Sequence, residues 1–181
     1  ASAIKVTCCV VGGGPAGMML GFLLARAGVR VAVLEKHADF LRDFRGDTIH
    51  PSTLEVMYEL GILEELLRRP HQEVRELGGQ IGSEFVTIAD FSHLATHCKF
   101  IALMPQWDFL DFVADHAKKY PTFRLMTRAA VSDLIEEGGR VTGVRATTPD
   151  GPLEVRAALT VGADGRRSTV REKAGLAVKD F

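Results

Sequence analysis

The sequence predicts an α/β protein that begins with a β-α-β unit. Three features near the start predict it: an apolar run that ends in glycines, a helical stretch that begins with proline, and a second apolar run that ends at an acid. Residues 4–11 are apolar on both faces and rich in β-branched side chains, as parallel strands are. Residues 15–27 have proline in the first turn and glycine after the last, the usual limits of a helix. Residues 29–34 complete the unit as a second strand.

The rest of the sequence predicts a second lobe and a run of hairpins. Short apolar segments between glycines and polar residues at 74–104 predict antiparallel strands. Residues 105–120 predict an amphipathic helix, because Phe109, Phe112 and Val113 share one face. The other predicted elements are helices at 51–60 and 62–69, strands at 123–126, 130–135, 140–148 and 153–163, hairpin turns at 138–139 and 149–152, and a short helix within 163–176.

Composition excludes several classes of partner. The net charge of −1 over 181 residues argues against a nucleic acid or an anionic membrane. Two of the three cysteines are adjacent in an apolar strand, which predicts buried thiols and a reducing cytoplasm. Neither a signal peptide nor a membrane span is predicted, because glycines interrupt the apolar N-terminal stretch. The oligomeric state is left open.

The glycine pattern between the first strand and the first helix predicts a dinucleotide site. Gly12 permits the tight turn, Gly14 lets the backbone approach a pyrophosphate, and Gly17 lets helix and strand pack closely. The helix N-terminus presents N–H groups and the positive end of its dipole to phosphates. Glu35, at the end of the second strand, is placed to accept a hydrogen bond from a ribose 2′-hydroxyl and to repel a 2′-phosphate.

These features fit an NAD-dependent dehydrogenase as well as a flavoprotein. A dehydrogenase would continue with further β-α-β crossovers, whereas this chain continues with an arginine loop, a strand-rich insertion and hairpins. Three further segments are informative: RDFRGDTIHPSTLEVMYELG, PQWDFLDFV and VGADGRRSTVR. In this order, with GGGPAG and Glu35, they resemble the single-component FAD-dependent aromatic hydroxylases, the p-hydroxybenzoate hydroxylase-like flavoprotein monooxygenases.

The resemblance implies a Rossmann-like FAD-binding three-layer fold with a β-meander, plus part of an antiparallel-sheet substrate lobe. It assigns residues 1–73 and 105–181 to a discontinuous FAD-binding domain and 74–104 to the substrate lobe. The family's later Gly-Asp flavin motif does not follow in this sequence. We therefore expect the chain to be the N-terminal portion of such an enzyme, with weakened FAD affinity and without complete hydroxylation activity on its own.

The resemblance also implies the cofactor-binding residues. The adenosine-diphosphate half of FAD would be held by Gly12, Gly14, Pro15, Ala16, Gly17, Glu35 and Lys36. Arg45, which Arg42 could assist, is similar to the arginine on the flavin side of the pyrophosphate, and Gln106 to a glutamine near the ribityl chain. Asp164 and Gly165 match an Asp-Gly motif credited with contacts to FAD and a part in NAD(P)H binding, with Arg166 and Arg167 adding positive charge.

The function implied is hydroxylation of an aromatic or phenolic substrate by O2 through a flavin C4a-hydroperoxide, with NAD(P)H as reductant. No acid–base dyad is required, and no catalytic side chain is assigned. Two alternatives remain: another FAD-dependent oxidoreductase (reductase, oxidase or halogenase), and a non-catalytic nucleotide-binding fragment.

Two other groups of residues are not assigned to chemistry. His93 and His97 are four residues apart and Cys98 follows, a spacing that binds metals on a helix, but their segment is predicted as loop and strand. No metal site is predicted. Ser168 is predicted to cap a helix rather than to act as a nucleophile.

Overall fold

The expected β-α-β unit is present in the computed structural model, which describes residues 2–41 and 46–179. The elements are β1 (Ser2–Val11), α1 (Pro15–Arg26), β2 (Val31–Leu34), β3 (Thr48–Ile49), α2 (Pro51–Glu59), α3 (Leu63–Leu67), β4 (Gln72–Val74), β5 (Glu76–Ile81), β6 (Glu84–Asp90), β7 (Ile101–Leu103), α4 (Gln106–Ala117), β8 (Phe123–Met126), β9 (Ala130–Glu137), β10 (Arg140–Thr148), β11 (Gly151–Gly162) and α5 (Thr169–Lys173). The predicted helices and both predicted hairpins are confirmed, the helix expected at 62–69 being the shorter Leu63–Leu67.

The chain divides into two units. Ala1–Phe40 and Leu110–Phe181 form the first, and Leu41–Phe109 forms the second. The predicted limits of an FAD-binding domain and a substrate lobe are functional assignments, and they stay a prediction.

The first unit contains a six-stranded sheet in the order β8-β2-β1-β11-β10-β9. Its strands β8, β2, β1 and β11 are parallel to their neighbours, whereas β10 and β9 continue antiparallel from β11. Residues 123–126 thus form the edge strand of the four-stranded parallel part, since β8 pairs with β2. Parallel strands buried on both faces need continuous apolar sequence, and all four residues of β2 are buried.

Both faces of the parallel part of the sheet are covered. Gly21 of α1 lies so close to Val33 that a Cβ there would be 2.5 Å from the valine Cγ2. Alternate residues point the other way, and the opposite face forms a core of Cys9, Val11, Ala32, Leu34, Ala129, Leu134, Val144, Ala146, Leu153, Val155 and Ala157. Cys8 and Cys9 are 2% and 0% exposed, as predicted for small buried side chains. The three-layer arrangement with a meander is confirmed.

The second unit contains two small antiparallel sheets. One has the order β3-β7-β4, and the other is the β5–β6 ribbon. The prediction of antiparallel strands at 74–104 is confirmed, but β3, β4 and β5 were not predicted individually. β5 has the sequence ELGGQI, in which apolar and polar residues do not alternate as they do in a typical strand. The strand is also largely exposed.

Candidate functional site

The candidate site lies where three parallel strands end side by side. Val11 at the end of β1 is in register with Leu34 of β2 and with Gly162 of β11. The residues that follow these strands therefore meet at one edge of the sheet. Strand order changes direction there, because β2 lies on one side of β1 and β11 on the other. Ligands of open α/β sheets bind at this kind of position.

Two glycines of the turn are required by packing. Gly12 has φ +109°, and a Cβ on it would be 2.3 Å from the carbonyl oxygen of Ala163. A Cβ on Gly17 would be 1.9 Å from the carbonyl oxygen of Gly12. Both distances are far below van der Waals contact, so the turn, the helix and β11 can approach this closely only with glycine at both positions.

Gly14 differs from them in having open space around it. It is the N-cap of α1 with φ −74°, and no heavy atom lies within 4 Å of a Cβ built on it. Neither the backbone nor packing therefore requires glycine there. Beside it the 12-residue helix α1 begins with Pro15 and Ala16, both exposed. Open space at a helix N-terminus is suited to an anion.

Glu35 is buried and tied to the glycine turn. It is 6% exposed, and its Oε2 accepts a hydrogen bond of 2.9 Å from the amide of Gly13. Its Oε1 accepts one of 2.8 Å from the amide of His37. Both oxygens of this buried carboxyl group are therefore held by backbone amides at the edge of the sheet. Lys36, which follows, is exposed.

Gly13 was missed by the sequence analysis. A Cβ on it would be 2.8 Å from Cβ of Glu35, so a side chain would displace the glutamate. The only sequence signal for Gly13 was the run of three glycines, and Gly13 is the middle one, at a position where the motif allows any residue. Its role depends on a residue 22 positions later, which the motif does not include.

The turn after β11 lies beside the glycine turn. The amide of Ala163 donates a hydrogen bond of 2.7 Å to the carbonyl oxygen of Val11. Gly165 has φ +87° and is exposed, as are Arg166 and Arg167. A cavity of about 440 Å³ follows, lined by Arg166, Arg167, Ser168, Arg171, Glu172, Leu176 and Val178. Its three arginines outnumber its one acid, which favours an anionic ligand.

Ser168 is the N-cap of α5, as predicted. Its hydroxyl accepts a hydrogen bond of 3.0 Å from the amide of Arg171. Asp164 also supports this helix start, because its Oδ2 accepts a hydrogen bond of 2.7 Å from the amide of Thr169.

Gln106, which is predicted for the flavin side, belongs to the second unit. Gln106 is partly buried at the first position of α4, and its Nε2 lies 2.9 Å from where a Cβ on Gly46 would be. Gly46 has φ +77°, so glycine is favoured there by conformation as well as by space. Arg42 and Arg45 lie outside the described residues.

His97 is engaged by a carboxylate of α2. Its backbone amide donates a hydrogen bond of 2.9 Å to Glu55, its Nδ1 lies 2.8 Å from Oε1 of Glu55, and its ring stacks on Tyr58. Within the described residues, no group of three or more metal-ligating side chains is found. Burial raises the pKa of the Cys9 thiol to about 12, so this cysteine is protonated and unreactive at neutral pH.

Among the described residues, no helix has the length and apolar character needed to cross a membrane.

The comparisons with known proteins agree with this geometry. The FAD binding domain family matches residues 5–181. The 6-methylpretetramide 4-monooxygenase of Streptomyces rimosus is 36% identical over 168 residues, which is 93% of this chain and 40% of that protein. A rifampicin monooxygenase of Streptomyces venezuelae is 36% identical over 170 residues, which is 93% of this chain and 33% of that protein.

A solved structure has the same fold. The crystal structure of p-nitrophenol 4-monooxygenase from Pseudomonas putida DLL-E4 aligns with a TM-score of 0.86 and 26% identity, covering 100% of this chain and 46% of that one. The predicted resemblance to aromatic hydroxylases is thus confirmed. The chain spans less than half the length of the proteins that it matches.

Proposed function

The chain belongs to the FAD binding domain family, and we propose that it is the FAD-binding part of an NAD(P)H-driven monooxygenase that hydroxylates an aromatic or phenolic substrate. The observation that carries this proposal is the open cradle at Gly14 beside the buried, hydrogen-bonded carboxylate of Glu35. The names of the relatives, which are monooxygenases of aromatic compounds, support the reaction class.

The glycine turn would hold the adenosine-diphosphate half of FAD. Amides in the first turn of a helix have no intrahelical acceptor and point outward along the axis. At the start of α1 they would donate to the diphosphate, and the absence of a side chain at Gly14 lets the phosphates approach the backbone. Pro15 and Ala16, exposed in the same turn, would contact the phosphates from the helix side. The residues present therefore fit this half of the cofactor.

Glu35 would bind the adenosine ribose. Its two oxygens accept hydrogen bonds from the amides of Gly13 and His37, which fix the carboxylate at the edge of the sheet. A ribose hydroxyl would donate to this fixed carboxylate. The negative charge would disfavour a 2′-phosphate, which suits FAD at this turn. Lys36 lies beside it and would add a contact at the ribose edge.

The turn after β11 would serve both cofactors. Gly165 is exposed beside the glycine turn, where its main chain would contact FAD. Arg166 and Arg167, with Arg171 in the same cavity, would supply positive charge for the phosphates of NAD(P)H. The flavin side would be held by Arg45 and by the amide of Gln106, two roles that rest on the family resemblance.

FAD, when bound, would supply the redox chemistry, with NAD(P)H as hydride donor and O2 as the source of the oxygen atom added to the aromatic ring, the other oxygen atom leaving as water. The chain itself would orient the cofactor and keep water from it, which needs no acid–base pair of side chains. The three cysteines are free in the structure, consistent with the cytoplasm as the proposed compartment.

FAD binding is the direct test. The purified chain is titrated with FAD while the quenching of flavin fluorescence is followed, and ADP is then added as a competitor. Saturable FAD binding that ADP displaces is expected. Tighter binding of NAD than of FAD, or FAD binding that ADP does not displace, would contradict the proposal.

Turnover separates the enzyme classes. NAD(P)H oxidation that a phenol stimulates, with a product heavier by one oxygen atom, supports a monooxygenase. Flavin reduction without oxygen insertion indicates another FAD-dependent oxidoreductase. FAD binding without NAD(P)H consumption indicates a binding fragment.

A further inference from the structure

A second cavity, of about 340 Å³, lies within the second unit, between α2, α3 and the chain that precedes β7. Its volume is at the lower end of the range of small-molecule sites, which is about 300–1,000 Å³. The described residues that line it are Tyr58, Gly61, Leu63, Glu64, His97 and Cys98. None of them is assigned to FAD or NAD(P)H, so the cavity has room for a separate ligand the size of a single substituted ring.

His97 forms a fixed wall of this cavity. Its backbone amide donates a hydrogen bond of 2.9 Å to Glu55, and its ring Nδ1 lies 2.8 Å from Oε1 of the same carboxylate. The ring also stacks on Tyr58, with the ring centroids 3.4 Å apart and the planes at 21°. Backbone, ring nitrogen and ring face are each held, so little side-chain freedom would be lost when a ligand binds against this ring.

The buried part of the cavity lining is apolar. Leu63 is 8% exposed and Cys98 is 5% exposed. Burial raises the pKa of the Cys98 thiol, and the nearby carboxylates of Glu73 and Glu55 raise it further. The thiol is therefore protonated at neutral pH, and a protonated thiol packs as a small apolar side chain. These two side chains offer apolar contact to the body of a ligand.

The charge at the cavity is negative. Glu64, in the first turn of α3, is exposed and lines the cavity. Among residues 2–41 and 46–179, no lysine or arginine lines it. Glu55 places a second carboxylate against the His97 ring, and the hydrogen bonds from His97 hold its pKa below the ordinary value. Negative charge beside an apolar surface favours a cation with an apolar body over an anion.

We propose that this cavity binds a small organic cation, an ammonium group attached to an apolar or aromatic body. The ammonium group pairs with Glu64. The body lies against Leu63 and Cys98, beside the fixed ring of His97. This binding site goes beyond the proposed function and does not depend on it, because neither FAD nor any residue of the glycine turn takes part.

An NMR titration with phenethylamine as the probe tests the proposal. The ring signals of His97 and the methyl signals of Leu63 are followed at pH 8, where an ordinary imidazole is neutral. We expect saturable shifts of these signals with a dissociation constant on the order of 1 mM. 3-Phenylpropionate, which has the same body and the opposite charge, is expected to bind at least fivefold more weakly. No saturable shift, or equal binding of the two probes, would overturn the proposal.

Glu64→Gln tests the residue that supplies the charge. Since an exposed ion pair is weak, we expect the variant to bind phenethylamine about threefold more weakly and 3-phenylpropionate no more weakly than the parent does. Glu59→Gln is the matched control, because Glu59 is an exposed glutamate of α2 that is not among the lining residues, and its affinities are expected to stay unchanged. Unchanged phenethylamine affinity in Glu64→Gln, or an equal loss in both variants, would show that Glu64 does not bind the ammonium group. The titration needs no cofactor, so its outcome is independent of whether the chain binds FAD.

Discussion

The amide of Gly13 donates a hydrogen bond of 2.9 Å to Oε2 of Glu35, joining two residues 22 positions apart. The bond ties the end of β2 to the turn that follows β1. It also holds the buried carboxyl group of Glu35 against the turn that contains Gly14. The proposed phosphate cradle and the proposed ribose acceptor are therefore one structure, and a change in either is expected to affect both.

Glu35→Gln tests this coupling. Glutamine has one acceptor oxygen where the glutamate uses two, so either Gly13 or His37 loses its partner. We expect ADP to bind about tenfold more weakly, equivalent to one charge-assisted hydrogen bond. We also expect the parent to prefer ADP over 2′-deoxy-ADP and over 2′-phospho-ADP, and the variant to lose both preferences. Equal binding of the three ligands by the parent would contradict the role of Glu35. Glu136→Gln, an exposed glutamate of the same unit, is the control.

Gly14→Val tests the cradle. The valine side chain meets no atom of the chain, and φ −74° suits any residue, so the fold is expected to survive. FAD and ADP binding are expected to be lost, because the side chain occupies the space proposed for the diphosphate. Circular dichroism and the unfolding temperature check the fold, and fluorescence quenching checks binding. Gly79→Val is the matched control, since Gly79 also has open space around it. Retained affinity in Gly14→Val would mean that the phosphates bind elsewhere.

Gly17→Ala is expected to behave differently from Gly14→Val. Its Cβ would be 1.9 Å from the carbonyl oxygen of Gly12, so α1 must move away from the turn. A rearranged, overpacked core costs about 1–3 kcal/mol, and we expect the free energy of unfolding, measured with urea, to fall by that amount. An unchanged value would show that the helix and strand are not packed as closely as the structure has them.

Gln106→Ala tests the flavin side. If Gln106 contacts the ribityl chain, the variant should weaken FAD binding several-fold and leave ADP binding unchanged, because ADP lacks that half. Arg45→Ala is expected to weaken FAD more than AMP for the same reason. Equal losses of affinity for FAD and for the shorter ligands, ADP and AMP, would place these residues away from the flavin side. Both affinities are measured by fluorescence or calorimetric titration.

Glu55 is expected to link stability to pH. Hydrogen bonds from the backbone and side chain of His97 hold the pKa of the Glu55 carboxyl below its ordinary value. A lowered pKa in the folded state stabilises the protein above the unfolded pKa of about 4.3, and the effect is lost as pH falls through the folded pKa. Carbon-13 NMR titration should therefore show the pKa of Glu55 rising in His97→Ala.

Asp90 is the internal control for that titration. The amide of Ser92 lowers its pKa, and that contact remains in His97→Ala. A Glu55 titration that does not move in the variant would show that the side-chain contact with His97, which is the contact that the substitution removes, is not formed in solution.

Local sequence predicted the first unit well. The apolar runs of β1 and β2, the proline and glycine that limit α1, and the two hairpin turns are signals within a few residues, and all are confirmed. Pairing over long distances was not predicted. β8 pairs with β2 as a parallel strand. Its four residues, FRLM, are too few for the sequence pattern to distinguish a parallel from an antiparallel strand.

In the candidate site too, features set by local sequence were predicted and features set by long-range pairing were not. The spacing of Gly12, Gly14 and Gly17 follows from a motif, and the structure separates two packing glycines from one open position. The dependence of Gly13 on Glu35 and the commitment of Asp164 to α5 were not predicted, because both require knowing which strand ends lie together.

A crystal structure of the chain with FAD or ADP tests the central claim most directly. We expect the diphosphate to lie over the first turn of α1, against the backbone at Gly14, with a ribose hydroxyl within hydrogen-bonding distance of Glu35. A nucleotide bound at another edge of the sheet, or a side chain filling the space beside Gly14, would contradict it.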